Sequence, residues 1–139
     1  MIELEKYSKQ DSFYFAPGVR LSQVCNAPGR KYKYGGIYLL YAIKDDQEIE
    51  LVYIGISGKL DKSTRELIPR RDGIKGRIVK GKRDGEPRKN YWFRQMEIEG
   101  FDALRICWYV VHDNEVFKDC PETLERKLIT KYKPRWNRR

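Results

Sequence analysis

Two tyrosines, one arginine and one glutamate stand in settings where their side chains could do chemistry. Tyr38 closes the tripeptide Gly36-Ile37-Tyr38, and Tyr53 opens its mirror image, Tyr53-Ile54-Gly55. Arg77 follows in a stretch rich in lysine and arginine. Its guanidinium is permanently charged and suits phosphate oxygens, which it binds through two parallel N–H groups. Glu125 lies among Leu124, Leu128, Ile129 and Tyr132. On a helical wheel with Leu124 at zero, Leu128 falls at about 40°, Tyr132 at about 80° and Ile129 at about 140°. Glu125 falls at about 100°, inside that apolar arc, and Glu122 at about 160°, on its rim. A carboxylate in a core-facing stripe is costly unless it pairs with a cationic side chain or coordinates a cation. The spacing alone leaves both open.

These residues need a scaffold. Ile37–Ile43 and Glu50–Ile56 are β-rich and flank a polar link containing Asp45-Asp46, which predicts an antiparallel hairpin. A four-residue loop over 44–47 would set Tyr38 directly opposite Tyr53, on one face of the sheet. Ile74–Arg83 reads as a short helix after Gly73, with Ile74, Ile78 and Gly81 facing inward and Arg77 at the edge of that face. Asn90–Glu99 reads as a second helix, ended by Gly100. Trp92, Tyr91 and Phe93 on it could stack bases, but packing them inward is the cheaper explanation. Ala103–Val111 is a buried strand candidate, and Pro121 opens a last helix that Pro134 stops. Residues 1–34 carry two turn signals, Ala16-Pro17-Gly18 and Ala27-Pro28-Gly29, and read as an extension packed on the domain formed by 35–139. The element order predicts an α+β fold, a small antiparallel three-stranded sheet flanked by helices.

Composition narrows the partners. A chain of 139 residues suits one compact domain, and 40% hydrophobic with 13% aromatic residues excludes a disordered polymer. No apolar run approaches the ~20 residues that span a bilayer, so a soluble, cytoplasmic protein is expected. Cys25, Cys107 and Cys120 lack paired spacing and His112 is the only histidine, which predicts reduced packing thiols rather than a zinc site. The net charge is +9. It concentrates in Lys59–Arg94, with thirteen basic against five acidic residues, and in Arg126–Arg139, with seven basic and no acidic residues. Such clusters point to a polyanion, because lysines and arginines that displace condensed counterions gain affinity.

With both tripeptides intact on adjacent strands, the sequence resembles the GIY-YIG nuclease superfamily over about residues 34–137. The resemblance extends to Arg77 on the first helix after the hairpin, Glu125 on the last helix and the late Asn137. It implies a metal-dependent endonuclease acting on DNA, with Tyr38, Tyr53, Arg77, Glu125 and Asn137 as site residues. Glu125 would hold a divalent metal, Mg²⁺ with Mn²⁺ as a substitute. Tyr38, with Tyr53 beside it, would orient or deprotonate the attacking water, and Asn137 would be a positioning partner. Arg70, Arg71, Lys75, Lys80, Lys82, Arg83, Arg88, Lys89 and Arg135 are the candidate contacts to a double-stranded backbone. Sequence specificity would need a homodimer, a partner protein or the insertions.

Two departures from the family pattern stand out. Gly58–Asp72 looks like an insertion, and Gly81 occupies a place where many members carry a histidine or tyrosine. Lys80, Lys82 and Lys75 are the candidates to supply that role. The competing expectations are a non-catalytic nucleic-acid-binding domain and a basic structural protein of a ribonucleoprotein.

Overall fold

The computed structural model describes residues 1–137. In chain order the elements are β1 (Gln10–Phe15), α1 (Leu21–Val24), β2 (Gly35–Lys44), β3 (Gln47–Ser57), β4 (Lys59–Leu60), β5 (Leu67–Ile68), α2 (Gly73–Lys80), β6 (Lys82–Arg83), β7 (Glu86–Pro87), α3 (Arg88–Glu99), β8 (Ala103–His112) and α4 (Pro121–Tyr132). Short 3-10 turns at Ile2–Leu4 and Arg135–Asn137 begin and end them.

The architecture is α+β. Its sheet is antiparallel and has four strands in the order β1-β8-β2-β3, where the sequence reading expects three. The extra strand is β1, whose Phe13 and Phe15 are buried while its other residues are not. That short apolar signal makes a strand only because β8, about ninety residues away in sequence, presents a free edge to it.

Strict alternation along β2 and β8 sends side chains into two cores, one on each face. Tyr38, Leu40, Ala42, Leu104, Ile106 and Trp108 meet α2 and α3 through Ile74, Ile78, Trp92 and Met96. Ile37, Leu39, Cys107, Tyr109 and Val111 meet Leu128 of α4 together with Leu4 and Tyr7 of the N-terminal segment. Residues 1–34 also touch α2 directly, since the Lys75 amide donates to the Pro28 carbonyl at 2.9 Å. All three cysteines are free, with Cys25 and Cys107 buried. No helix among the described residues is long and apolar enough to cross a membrane.

The hairpin register differs from the expected one. The turn has two residues, Asp45 and Asp46, both at positive φ, rather than four. Register shifts at Val52 and Ile49 then insert one extra residue each. Tyr38 therefore stands opposite Gly55 and Tyr53 opposite Leu40. Two single shifts preserve parity, so the tyrosines still share a face, with ring centroids 6.1 Å apart.

The helices are trimmed too. α2 ends at Lys80 instead of Arg83, because residues 82–87 fold into the β6–β7 hairpin. α3 starts two residues earlier than expected, at Arg88. The 58–72 insertion holds a second small hairpin, β4–β5.

Gly55 explains why the second tripeptide must end without a side chain. A Cβ there would lie 2.3 Å from Cζ of Tyr38 and 2.4 Å from its hydroxyl. The Tyr38 ring is fully buried and cannot retreat. Gly55→Ala is expected to destabilise the fold by about 1–3 kcal/mol through overpacking, read as a lower midpoint in urea with an unchanged slope.

Candidate active site

A polar cleft of about 430 Å³ opens where the end of β3, α2, the β6–β7 hairpin, the start of α3, α4 and the C-terminal turn converge. Tyr53, Arg77, Arg88, Glu125 and Asn137 all line it, with Lys82 and Asp84 exposed among its walls. Residues scattered over eighty-five positions of sequence thus meet in one place.

Arg77 lies on the half-buried side of α2, and its Nε donates to the carbonyl of Ile56 at 3.3 Å. That bond fixes the stem of the side chain against β3 and leaves its terminal N–H groups for a ligand. Asn137 spends its amide on the edge strand. Its Oδ1 accepts from the Ile54 amide and its Nδ2 donates to the Ile54 carbonyl, both at 2.8 Å. An edge strand's outward backbone groups need such partners. Asn137 therefore positions Tyr53 and Gly55 by holding the residue between them.

Glu125 is the carboxylate of the cleft. Among the described residues it has neither a hydrogen bond nor an ion pair, although Arg77 and Arg88 both act on it through space. Burial pushes its carboxyl above the ordinary range, Glu122 adds to that, and the arginines pull the other way. The arginine ion pair that could have explained a carboxylate in an apolar arc is not formed.

Tyr38 is not where the sequence reading puts it. Its hydroxyl is buried without a hydrogen-bond partner and does not line the cleft. Burial, reinforced by Tyr53, pushes its phenol upward, and the charges of Arg88 and Arg77 offset this only in part. Tyr38 forms the layer beneath the site, and the half-buried Tyr53 lines the cleft.

One further assignment is corrected, and another residue has a structural task. Arg88 is 3% exposed and cannot lie along a duplex. It donates to the Tyr53 hydroxyl at 2.9 Å and to the Arg77 carbonyl at 2.7 Å, inside the site. The hint was in the sequence: Gly81 lacks a side chain, and the next helix opens with an arginine one turn before Trp92. Arg135 is committed to two carboxylates, Glu50 at 2.5 and 2.8 Å and Glu99 at 2.5 Å. It secures the C-terminal turn, together with Trp136, whose indole N–H donates to Glu99 at 2.9 Å.

The remaining basic candidates fall into groups. Arg83 lines the cleft, donates to the Trp136 carbonyl and lies over the Tyr91 ring. A second depression shares Ile56 and Arg77 with the cleft and adds Lys59, Arg70 and Glu122. A third shares Pro69 and Arg70 with the second and adds Arg30, Arg71 and Lys80. The three adjoin through these shared residues, and most of the charged side chains along this groove are cationic. Lys75 and Lys89 are half-exposed and line none of the three. Trp92 is buried, Phe93 packs on Phe15 and Tyr91 on Trp136, so these aromatics serve the core.

No three His, Cys, Asp or Glu residues cluster among the described residues into a group that could hold a metal. A single unpaired carboxylate fits a hard divalent cation that takes most of its oxygens from water and from a bound phosphate.

No protein-family model matches the chain, nor does any curated protein or any solved structure.

The Glu125 environment has a pH signature. Below the ordinary carboxylate range the group is protonated both folded and unfolded, and the fold loses nothing. As pH rises through the elevated folded value, the fold must hold a desolvated charge that the unfolded chain hydrates freely, so stability falls. Metal-free Glu125→Gln is expected to melt a few degrees above wild type at about pH 7–8, with the gap closing towards about pH 4. Thermal melts across that range check it.

Proposed function

We propose that this chain is a metal-dependent endonuclease that hydrolyses phosphodiester bonds of double-stranded DNA, as its resemblance to the GIY-YIG superfamily implies. The observation that carries the reading is Glu125, a half-buried and unpaired carboxylate facing Arg77 and Arg88 in a cleft that opens onto a cationic groove.

The residues suit the reaction. Terminal N–H groups of Arg77 meet the oxygens of the scissile phosphate and neutralise charge that grows in the pentavalent transition state. Glu125 would hold a divalent cation, Mg²⁺ with Mn²⁺ as a substitute, which would supply Lewis-acid stabilisation of the developing charge. Water attacks phosphorus, its oxygen forms the new P–O bond, and the bond to the 3′-oxygen breaks. Tyr53 orients that water; its oxygen accepts the water's proton as its own passes to solvent at the cleft mouth. The 3′-oxygen takes up a proton from solvent, leaving a 5′-phosphate and a 3′-hydroxyl.

Arg70, Arg71, Lys80 and Lys82 along the groove favour a backbone ligand longer than one phosphate. The same groove would serve a domain that only binds nucleic acid. An unpaired carboxylate set against a phosphate track would repel such a ligand, which favours hydrolysis over binding alone.

Purified protein is expected to nick or linearise supercoiled plasmid with Mg²⁺ or Mn²⁺ and to be inert in EDTA. Glu125→Ala and Arg77→Ala are each expected to lose at least ~100-fold in rate. Wild type that binds plasmid but leaves it intact under both metals would return the chain to the binding-only reading.

A further inference from the structure

The space beside Gly81 is filled from another element. A Cβ at Gly81 would lie 2.1 Å from Nη2 of Arg88 and 2.6 Å from its Cζ. The Arg88 amide also donates to the Gly81 carbonyl at 2.8 Å, so backbone and side chain both close over this position. None of the lysines near Gly81 does this. Lys80 turns to the depression with Arg30 and Arg71, Lys82 is exposed on the cleft wall, and Lys75 lines neither.

The guanidinium of Arg88 is in an unusual state. It lies among the rings of Tyr38, Tyr53 and Trp92, at 5.5, 5.8 and 5.6 Å from their centroids. Its two formed hydrogen bonds go to neutral oxygens, Tyr53 Oη and the Arg77 carbonyl, and its buried Nε has no partner. Among the described residues no carboxylate stands within ion-pair distance of it. A buried cation without an anion is costly, and aromatic faces offset only part of that cost. A charge kept under such conditions at the wall of a cleft points to an anion that enters the cleft.

We propose that Arg88 is the positioning residue of this site, standing in for the side chain absent at Gly81 and fixing the Tyr53 hydroxyl so that its proton is directed into the cleft. The direction follows from hydrogen-bond bookkeeping. Tyr53 oxygen accepts from Arg88, and Arg88 has no lone pair to accept in return, so the Tyr53 proton must find its acceptor elsewhere. The open side of that hydroxyl is the cleft. The positive charge beneath it also compensates negative charge that develops on the phenol oxygen or on a nearby phosphate. The inference rests on the phosphodiesterase reading and adds to it the means by which the hydroxyl is aimed.

The test compares single-turnover cleavage and duplex affinity for wild type, Arg88→Gln, Arg88→Lys, Tyr53→Phe and the double variant Arg88→Gln/Tyr53→Phe. Arg88→Gln is expected to lose ~100-fold in cleavage rate with a far smaller loss of duplex affinity, because only the phosphate in the cleft feels its charge while the groove's lysines and arginines carry the rest. Arg88→Lys is also expected to be slow, since one ammonium on a flexible stem cannot reproduce the planar fork that spans Tyr53 and Arg77. The double variant is expected to be no slower than the slower single, because one residue acts through the other. A merely structural role would instead multiply the losses and weaken duplex binding with them.

If Arg88→Gln fails to fold, Arg88→Lys supplies the second route: it keeps the charge, gives up the fork that spans Tyr53 and Arg77, and is expected to show the same loss of rate. Folded Arg88→Gln that cleaves like wild type, or losses that multiply in the double variant, would overturn the proposal. Wild type that cleaves nothing removes the nuclease reading itself and this inference with it, an outcome distinct from an active wild type with an indifferent Arg88.

Discussion

Two close approaches to bare backbone hold the site together. The ring of Tyr38 lies on Gly55, and the guanidinium of Arg88 lies on Gly81. Neither glycine can gain a methyl group without displacing a group that is itself enclosed. The first approach lets β2 send an aromatic ring across to β3 beneath the second tripeptide. The second lets α3 send a cation across the end of α2. Stacked in that order, ring and cation form the floor on which Tyr53 rests, with Trp92 closing the far side. The parts of this floor are buried, and close packing of that kind favours the preorganisation that an electrostatic site requires.

Above that floor the charges are unbalanced by design of the fold. Arg88 is buried without an anion, and Glu125 is half-buried without a cation in contact. Elsewhere the chain pairs its charges readily: Arg135 with Glu50 and Glu99, Arg94 with Glu86, Lys131 with Glu3. These two enclosed and unpaired charges, Arg88 and Glu125, both line the cleft, where desolvation keeps their fields strong. A metal ion and a phosphate are complementary to this arrangement, one for each sign. The C-terminal turn matters to it as well, because Asn137 clamps β3 at Ile54 between Tyr53 and Gly55.

Much of the fold could be read from the sequence, and the physical reasons are local. The hairpin, α4 and β8 have strong periodicity and clear stops, and their boundaries lie within one to three residues of expectation. β1 was hidden because its partner is far along the chain and only Phe13 and Phe15 mark its buried face. Bulges at Val52 and Ile49 leave no sign in an alternating pattern, so the true register is not legible there. Arg88 and Arg135 look in sequence like members of a basic surface. Charge patterning cannot tell a solvated arginine from one enclosed by rings or clamped by Glu50 and Glu99. Tyr38 and Tyr53 look equivalent in their mirrored tripeptides, and only the packing of Tyr38 on Gly55 separates the buried tyrosine from the one that lines the cleft.

Whether the cleft directs water to a phosphodiester is tested most directly by cleavage of a defined duplex in ¹⁸O-labelled water, with mass analysis of the new ends. The account predicts a 5′-phosphate carrying one ¹⁸O from the labelled water and an unlabelled 3′-hydroxyl. A duplex that stays intact with Mg²⁺ and Mn²⁺, a 3′-phosphate end, or DNA joined covalently to a tyrosine would contradict it.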